Sequence, residues 1–240
     1  MTVGERHALA EQRAPDHRSP DDRSPDHRSL REVIAERIRF GLLRGEFAPD
    51  LVYTAPSLAV RYGVSVTPVR EAILDLANEG LVSIRRNKGF SVAVPTLKGV
   101  QDIAEVRRLI EVPATVAITE RLTVTHLRHL LRAAEETVTH ARDGDLVAYV
   151  TADRAFHLAV LELSGNPVLV ELCERLRTQA RAHAYPFLLT SGSLLASAQE
   201  HVDLVRSMQT RDVTAVARIV DGHIAHALRE LAPDGSVRSS

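Results

Sequence analysis

The chain has 240 residues, 45% of them hydrophobic and 25% charged, with a formal net charge of −1. That length holds one large domain or two modest ones, and the composition is that of a globular protein, not a fibrous or wholly disordered one. No apolar run approaches the ~18 residues of a membrane span, and a net charge near zero means that any nucleic-acid binding needs a local basic patch.

The N-terminus is charged and lacks the apolar stretch of a secretion signal. The single cysteine, Cys173, excludes an internal disulfide and fits a reducing, cytoplasmic setting. Residues 15–29 read PDHRSPDDRSPDHRS, a pentapeptide repeated three times with no core-forming residue. Residues 1–29 are therefore expected to be a disordered tail. It is either an inert solvated tail or a tether touching DNA phosphates through Arg18, Arg23 and Arg28. An aspartate beside each arginine favours the first.

Residues 30–95 read as one compact unit. The stretch LREVIAERIRFGLLRGEF has apolar residues at 30, 33, 34, 38, 42 and 43, a helical period. A short helix follows in APSLAVRYG, with Pro56 near its first turn and Gly63 at its stop. The third helix is SVTPVREAILDLANEG: Ser65 or Thr67 can cap it, Pro68 suits its first turn, and Gly80 suits the position after its end. LVSIRRNKGFSVAV then reads as two strands around a turn at Asn87–Gly89. Three helices and a hairpin make a winged helix-turn-helix.

Such a fold places the N-terminal residues of its recognition helix against base edges. Here those are Ser65, Val66, Thr67 and Arg70, and the guanidinium fork of Arg70 matches guanine O6 and N7. Arg85, Arg86 and Lys88 at the hairpin tip suit phosphate or minor-groove contacts, with Gly89 closing the turn. This unit carries 9 Lys+Arg against 7 Asp+Glu, so it is locally basic in a chain of near-zero net charge.

Residues 96–99 are expected to be a linker, 100–233 a second domain and 234–240 a tail. The second domain shows no strand signal and six helices, roughly 97–121, 123–141, 145–163, 167–184, 192–209 and 212–231. Asp145, Asn166 and Asp212 are plausible N-caps, and Pro113 is expected to kink the first helix. The fold class is thus mostly α, a winged helix-turn-helix with a small β-hairpin wing followed by an all-α bundle of six or seven helices. About 130 residues of bundle can enclose a cavity.

Within it, TADRAFHLAV sets Asp153 and His157 four apart, on the same helical face as Val150, Leu158 and Leu161. His201 and His223 also sit among apolar residues at helical spacing. A buried carboxylate needs a partner, and a divalent cation would satisfy Asp153, His157, His201 and His223 together. Three imidazoles and a carboxylate suit zinc, with nickel or manganese as alternatives. With eleven histidines in the chain, chance alignment of ordinary satisfied polar groups is the competing reading. His126, His129, His140 and His183 read as surface residues, as do Asp203 and Asp221. His226 is near enough to His223 to approach the site, and Glu200 is placed to orient His201.

The run SVTPVREAILDLANEGLVSIRRNKGFSVAVP resembles the GntR family of bacterial transcription regulators, through Ser65, Thr67, Pro68, Arg70, Glu71, Leu76, Gly80, Leu81, Val82 and Gly89. It departs from the family's usual pattern at Val66 and at Pro56–Ser57. The family usually has DNA-contacting arginines at Val66 and Ser57, so the operator is expected to be atypical. Residues 100–230 resemble the FCD effector domain of the FadR subgroup, through Arg107 and Glu111, Asp153 with Phe156-His157, Ser164-Gly165-Asn166 with Leu169, Glu200-His201, and His223. The resemblance implies a metal at Asp153, His157, His201 and His223, a small carboxylic acid effector, and Arg107 as its carboxylate clamp.

These readings combine into a non-enzymatic, ligand-responsive transcription regulator, expected to be a homodimeric, cytoplasmic, nucleoid-associated repressor on palindromic double-stranded operator DNA. Two alternatives stay open: a purely structural metal, or a metallohydrolase fused to a DNA-binding unit.

Overall fold

The structure, a computed structural model, describes residues 29–49, 51–94, 96–191 and 193–231, with side chains described outside 181–191 and 227–231. The repeat arginines Arg18, Arg23 and Arg28, His183 and the 234–240 tail lie outside the described residues or side chains.

Among the described residues the N-terminal unit consists of α1 (Leu30–Leu43), α2 (Ala55–Tyr62), α3 (Val66–Asn78) and the antiparallel hairpin β1 (Val82–Arg85) and β2 (Gly89–Val92). Ser29 and Glu32 form a capping box that starts α1, and Thr54 caps α2 by accepting from Ser57 N. Ser65 occupies the N-cap position of α3 without a side-chain cap bond. Gly63 and Gly80 end α2 and α3 in the left-handed conformation. Ile34, Ile38, Leu58, Val69, Leu76 and Phe90 are the centre of this unit's core. Phe47 stands edge-on to Tyr53 at 5.0 Å, and Tyr53 forms an isolated bridge with Phe90 that braces the wing.

That bridge explains Gly89. Its φ is +126°, and a Cβ there would lie 2.0 Å from the Tyr53 carbonyl oxygen. Gly89→Ala is expected to cost about 1–3 kcal/mol through backbone strain alone, and to loosen the wing, as a lowered denaturant midpoint would show.

The second unit contains α4 (Leu97–Thr119), α5 (Val124–Asp143), α6 (Leu146–Glu162), α7 (Pro167–Ser191), α8 (Leu194–Gln209) and α9 (Val213–Leu231). Asp145 accepts from Ala148 N, Asn166 from Val168 N and Leu169 N, and Asp212 from Ala215 N, so all three expected caps form. Thr96 accepts from Gly99 N, and Leu97 begins α4 where the sequence placed the start of that helix. One expectation is revised. The fourth helix of the bundle, α7, runs seven residues beyond the expected end at 184. Pro113 lies inside α4, which continues through it as one helix to Thr119.

The two units are not simply strung together. Leu43, at the end of α1, belongs to the second unit's core with Val100, Ala104 and Leu130, and Phe40 packs against the same cluster. α1 also touches α7. A Cβ on Gly80, at the end of the recognition helix, would lie 3.1 Å from Gln179 of α7.

Candidate functional site

α6, α8 and α9 bring four side chains to one point. Asp153 and His157 are one turn apart on α6, His201 comes from α8 and His223 from α9. One ligating atom from each can be chosen so that all lie within 4.8 Å of one another. Asp153, His157 and His201 are buried to 3%, 6% and 1% exposure, and His223 is half-buried. Asp153 Oδ1 is 3.4 Å from His157 Nε2 and 3.3 Å from His201 Nε2. The three imidazole centroids form a near-equilateral triangle, with sides of 4.7, 4.9 and 5.1 Å. Phe156 packs on His201 at 4.6 Å and holds that ring in place.

This donor set fits a divalent cation. His157 Nε2 is buried with no hydrogen-bond partner, an expensive arrangement in a dry site unless something fills it. Two of the other rings are oriented for ligation. The Thr137 hydroxyl spends its hydrogen on the Ala134 carbonyl, 2.7 Å away. Its oxygen therefore accepts from His201 Nδ1 at 3.0 Å, and His201 Nε2 is left with its lone pair toward the cluster. Glu200 accepts from His223 Nδ1 at 2.7 Å, which leaves Nε2 as the unprotonated nitrogen of a neutral His223. Burial pushes the His157 pKa well below the ordinary imidazole value, helped by the Arg177 charge and opposed by Asp153. Burial lowers His223 as well, against the pull of Glu200. Both shifts favour the neutral ring, the state a metal needs.

The expectation that Glu200 orients His201 is corrected. Glu200 binds His223, and also His226 at 3.1 Å, while Thr137 orients His201. Burial would raise the Glu200 carboxyl, but the two imidazole hydrogen bonds outweigh it and hold it at about 2. His226 shares this carboxylate with His223. His129, Asp203 and Asp221 are exposed as expected, whereas His126 and His140 are half-buried, His126 because it folds back onto the start of α5.

Beside the cluster lies a cavity of about 20 Å³, lined among others by Glu111, Thr115, Arg177, Leu204 and Ile219. That space holds about one water or ion, not an organic acid. Arg107 is buried against Glu111, with its Nε 2.7 Å from Oε1. Arg177 is on the cavity wall, where its Nη2 lies 3.0 Å from Glu111 Oε2 and 2.7 Å from His157 Nδ1. Arg177 and Thr137 were not singled out from the sequence. Their signal was a polar residue within a buried helical stripe: Cys173, Arg177 and Ala180 on α7, and Leu130, Ala134, Thr137 and Val138 on α5. The Cys173 thiol, raised to about 11 by burial and Glu111, is unreactive at neutral pH.

In the N-terminal unit, Arg70 of α3 and Arg85, Arg86, Lys88 and Gly89 of the hairpin line one open groove of about 480 Å³. Arg70, Arg86 and Lys88 are exposed, and Arg85 is steadied by Ser91 at 3.1 Å. Ser65 and Thr67 are exposed at the start of α3 but do not line this groove.

Residues 30–92 match the bacterial regulatory proteins of the gntR family, and residues 102–226 match the FCD domain family. The chain is a GntR-family regulator with an FCD domain. McbR, an HTH-type transcriptional regulator of Escherichia coli (strain K12), is 29% identical over 148 residues, which cover 62% of this chain and 67% of McbR. GlaR, an HTH-type transcriptional repressor of the same organism, is 26% identical over 196 residues, or 76% of this chain and 87% of GlaR. A solved structure of E. coli McbR/YncC shares the fold, with a TM-score of 0.72 over 86% of this GntR regulator and 99% of that chain, at 22% identity. These families and relatives are transcription regulators, not enzymes, and the metallohydrolase alternative falls with that. Among the described residues of this regulator no helix is long and apolar enough to cross a membrane.

Proposed function

We propose that this GntR/FCD regulator is a metal-dependent repressor that binds a palindromic operator as a homodimer and responds to a small carboxylic acid. The observation that carries this reading is the buried His₃Asp cluster beside an arginine-walled cavity, on the same chain as a winged helix-turn-helix. Asp153, His157, His201 and His223 would hold the metal, zinc before nickel or manganese. When bound, the ion supplies a fixed positive charge and an open coordination position for a carboxylate. Arg107, the carboxylate clamp implied by the resemblance, is paired with Glu111 and is not among the residues lining the cavity, so in this reading it acts by anchoring the Glu111 wall that would face the ligand. The exposed Val106 and Leu109 of α4 offer apolar surface for a second copy, and the similarity to GlaR, a transcriptional repressor, supports repression.

Arg70, Arg85, Arg86 and Lys88 would provide the DNA contacts, with Ser65 and Thr67 at the mouth of the recognition helix and Gly89 shaping the wing. For switching, the acid must bind the DNA-competent and DNA-incompetent states with different affinity. The short stretch around Thr96 and the α1 and α7 contacts give that difference a route to α3.

The test is selection of duplexes from a random DNA pool by zinc-loaded protein, followed by titration with small acids. Inverted repeats released by one acid are the expected result. Arg70→Ala should weaken binding to the selected duplex about tenfold or more with an unchanged melting temperature, since a good bidentate base contact is worth ~1–3 kcal/mol. Selected sequences without symmetry, or binding indifferent to Arg70, would remove this reading.

A further inference from the structure

His157 differs from the other two imidazoles. His201 and His223 each donate from Nδ1, to Thr137 and Glu200, which leaves Nε2 as the unprotonated nitrogen of each neutral ring. His157 Nδ1 instead faces Arg177 Nη2 at 2.7 Å. A guanidinium has donors only, so His157 Nδ1 must be the acceptor. An accepting Nδ1 excludes the imidazolium, and the neutral ring then carries its proton on Nε2. Asp153 Oδ1 does not set His157 apart from His201, lying 3.4 Å from His157 Nε2 and 3.3 Å from His201 Nε2; the guanidinium contact does. Two of the three rings are therefore in the tautomer a cation needs, and the third is in the opposite one.

We propose that Arg177 is a gate: it holds His157 in the wrong tautomer while the site is metal-free, is expelled from Nδ1 when a divalent cation takes Nε2, and then offers its charge to the cavity as the seat of an anionic, carboxylate-class ligand. This rests on the metal reading of the cluster given above. On loading, the Nε2 proton leaves to water and a proton is gained at Nδ1, so the ring ends neutral with no net proton released. An Nδ1–H cannot remain 2.7 Å from a guanidinium N–H, and Arg177 has to move. Glu111, 3.0 Å from the same Nη2 and itself fixed by Arg107, keeps the guanidinium at the wall. The cavity of about 20 Å³ is too small for an acid while Arg177 lies over His157. The same displacement thus frees a charge and makes room. Metal and anion then bind with positive coupling, each favouring the state in which Arg177 has left the ring.

The first experiment is nitrogen-15 NMR of histidine-labelled full-length protein at neutral pH, before and after zinc. The metal-free spectrum is expected to show His157 with a bare Nδ1 and protonated Nε2, and His201 and His223 the reverse. Zinc should convert His157 to the Nδ1–H form. A metal-free His157 already in that form, or one that keeps its Nε2 proton in the loaded protein, overturns the gate. The second experiment is zinc affinity, by competition with a chromophoric chelator, with and without saturating acetate. Wild-type affinity should rise about tenfold with acetate. Arg177→Met should bind zinc about tenfold more tightly than wild type without acetate and lose the acetate response. Weaker zinc binding, or an intact acetate response, makes Arg177 a structural residue only. Failure to bind zinc at all sinks the metal reading itself, and the metal-free tautomer, read without any ion, tells that failure apart from failure of the gate.

Discussion

Glu111→Ala is expected to lower the stability of the FCD domain by about 3–5 kcal/mol, the cost of breaking a buried ion pair by removing one partner. Arg107, Glu111 and Arg177 are each no more than 8% exposed at the side chain. One carboxylate serves two guanidiniums: Arg107 by two hydrogen bonds, Arg177 by one ion pair. Its removal leaves two cations facing each other without water to separate them. A loss of this size should show as a fall of roughly 10 °C or more in melting temperature, and added salt should rescue little of it because the pair is shielded from solvent. Glu111→Gln keeps the shape and an acceptor but not the charge, and should fall between the two. A shift of the same small size in both variants would mean that the arginines find other partners, and the wall of the cavity would not be fixed as described.

The sequence carried the local architecture well. Turn and cap chemistry is short-range, so Thr54 and Ser29 apart, the boundaries at Gly63, Gly80, Asp145, Asn166 and Asp212 were readable from single residues. The four candidate metal ligands were readable too, because a carboxylate or imidazole breaks an apolar helical stripe visibly. What periodicity could not show was partnership across helices. Thr137 meets His201 across 64 residues, and Arg177 meets His157 across 20. Glu200 stands next to His201 in the chain, yet successive residues on a helix point to different sides, and it serves His223 instead. Leu43 has the same lesson: it continues the apolar run of α1, but it is buried in the other domain's core. Periodicity says that a face is covered, not by what.

Thr137 also gives the clearest gradation for the metal site. His201→Ala is expected to abolish zinc uptake at micromolar concentrations, removing one of four donors and the ring that Phe156 packs against. Thr137→Val keeps His201 but deletes the oxygen that fixes its tautomer, and should cost about 10–100-fold in affinity, the usual effect of losing an outer partner of a ligating histidine. Stability should follow: zinc at a hundred times its dissociation constant adds about 2.7 kcal/mol to wild type, less to Thr137→Val and nothing to His201→Ala. Acid should act in the same direction. The folded pKa values of His157 and His223 lie below the unfolded value of 6.5. The stability linked to these neutral rings is therefore complete above pH 6.5 and is lost as pH falls from there through the depressed folded values. Metal binding, which competes with the same protons, should weaken over that range as well. If His201→Ala retained wild-type zinc affinity, Asp153, His157 and His223 would have to hold the ion alone, and the hydroxyl of Thr137 would be satisfying a buried imidazole and nothing more.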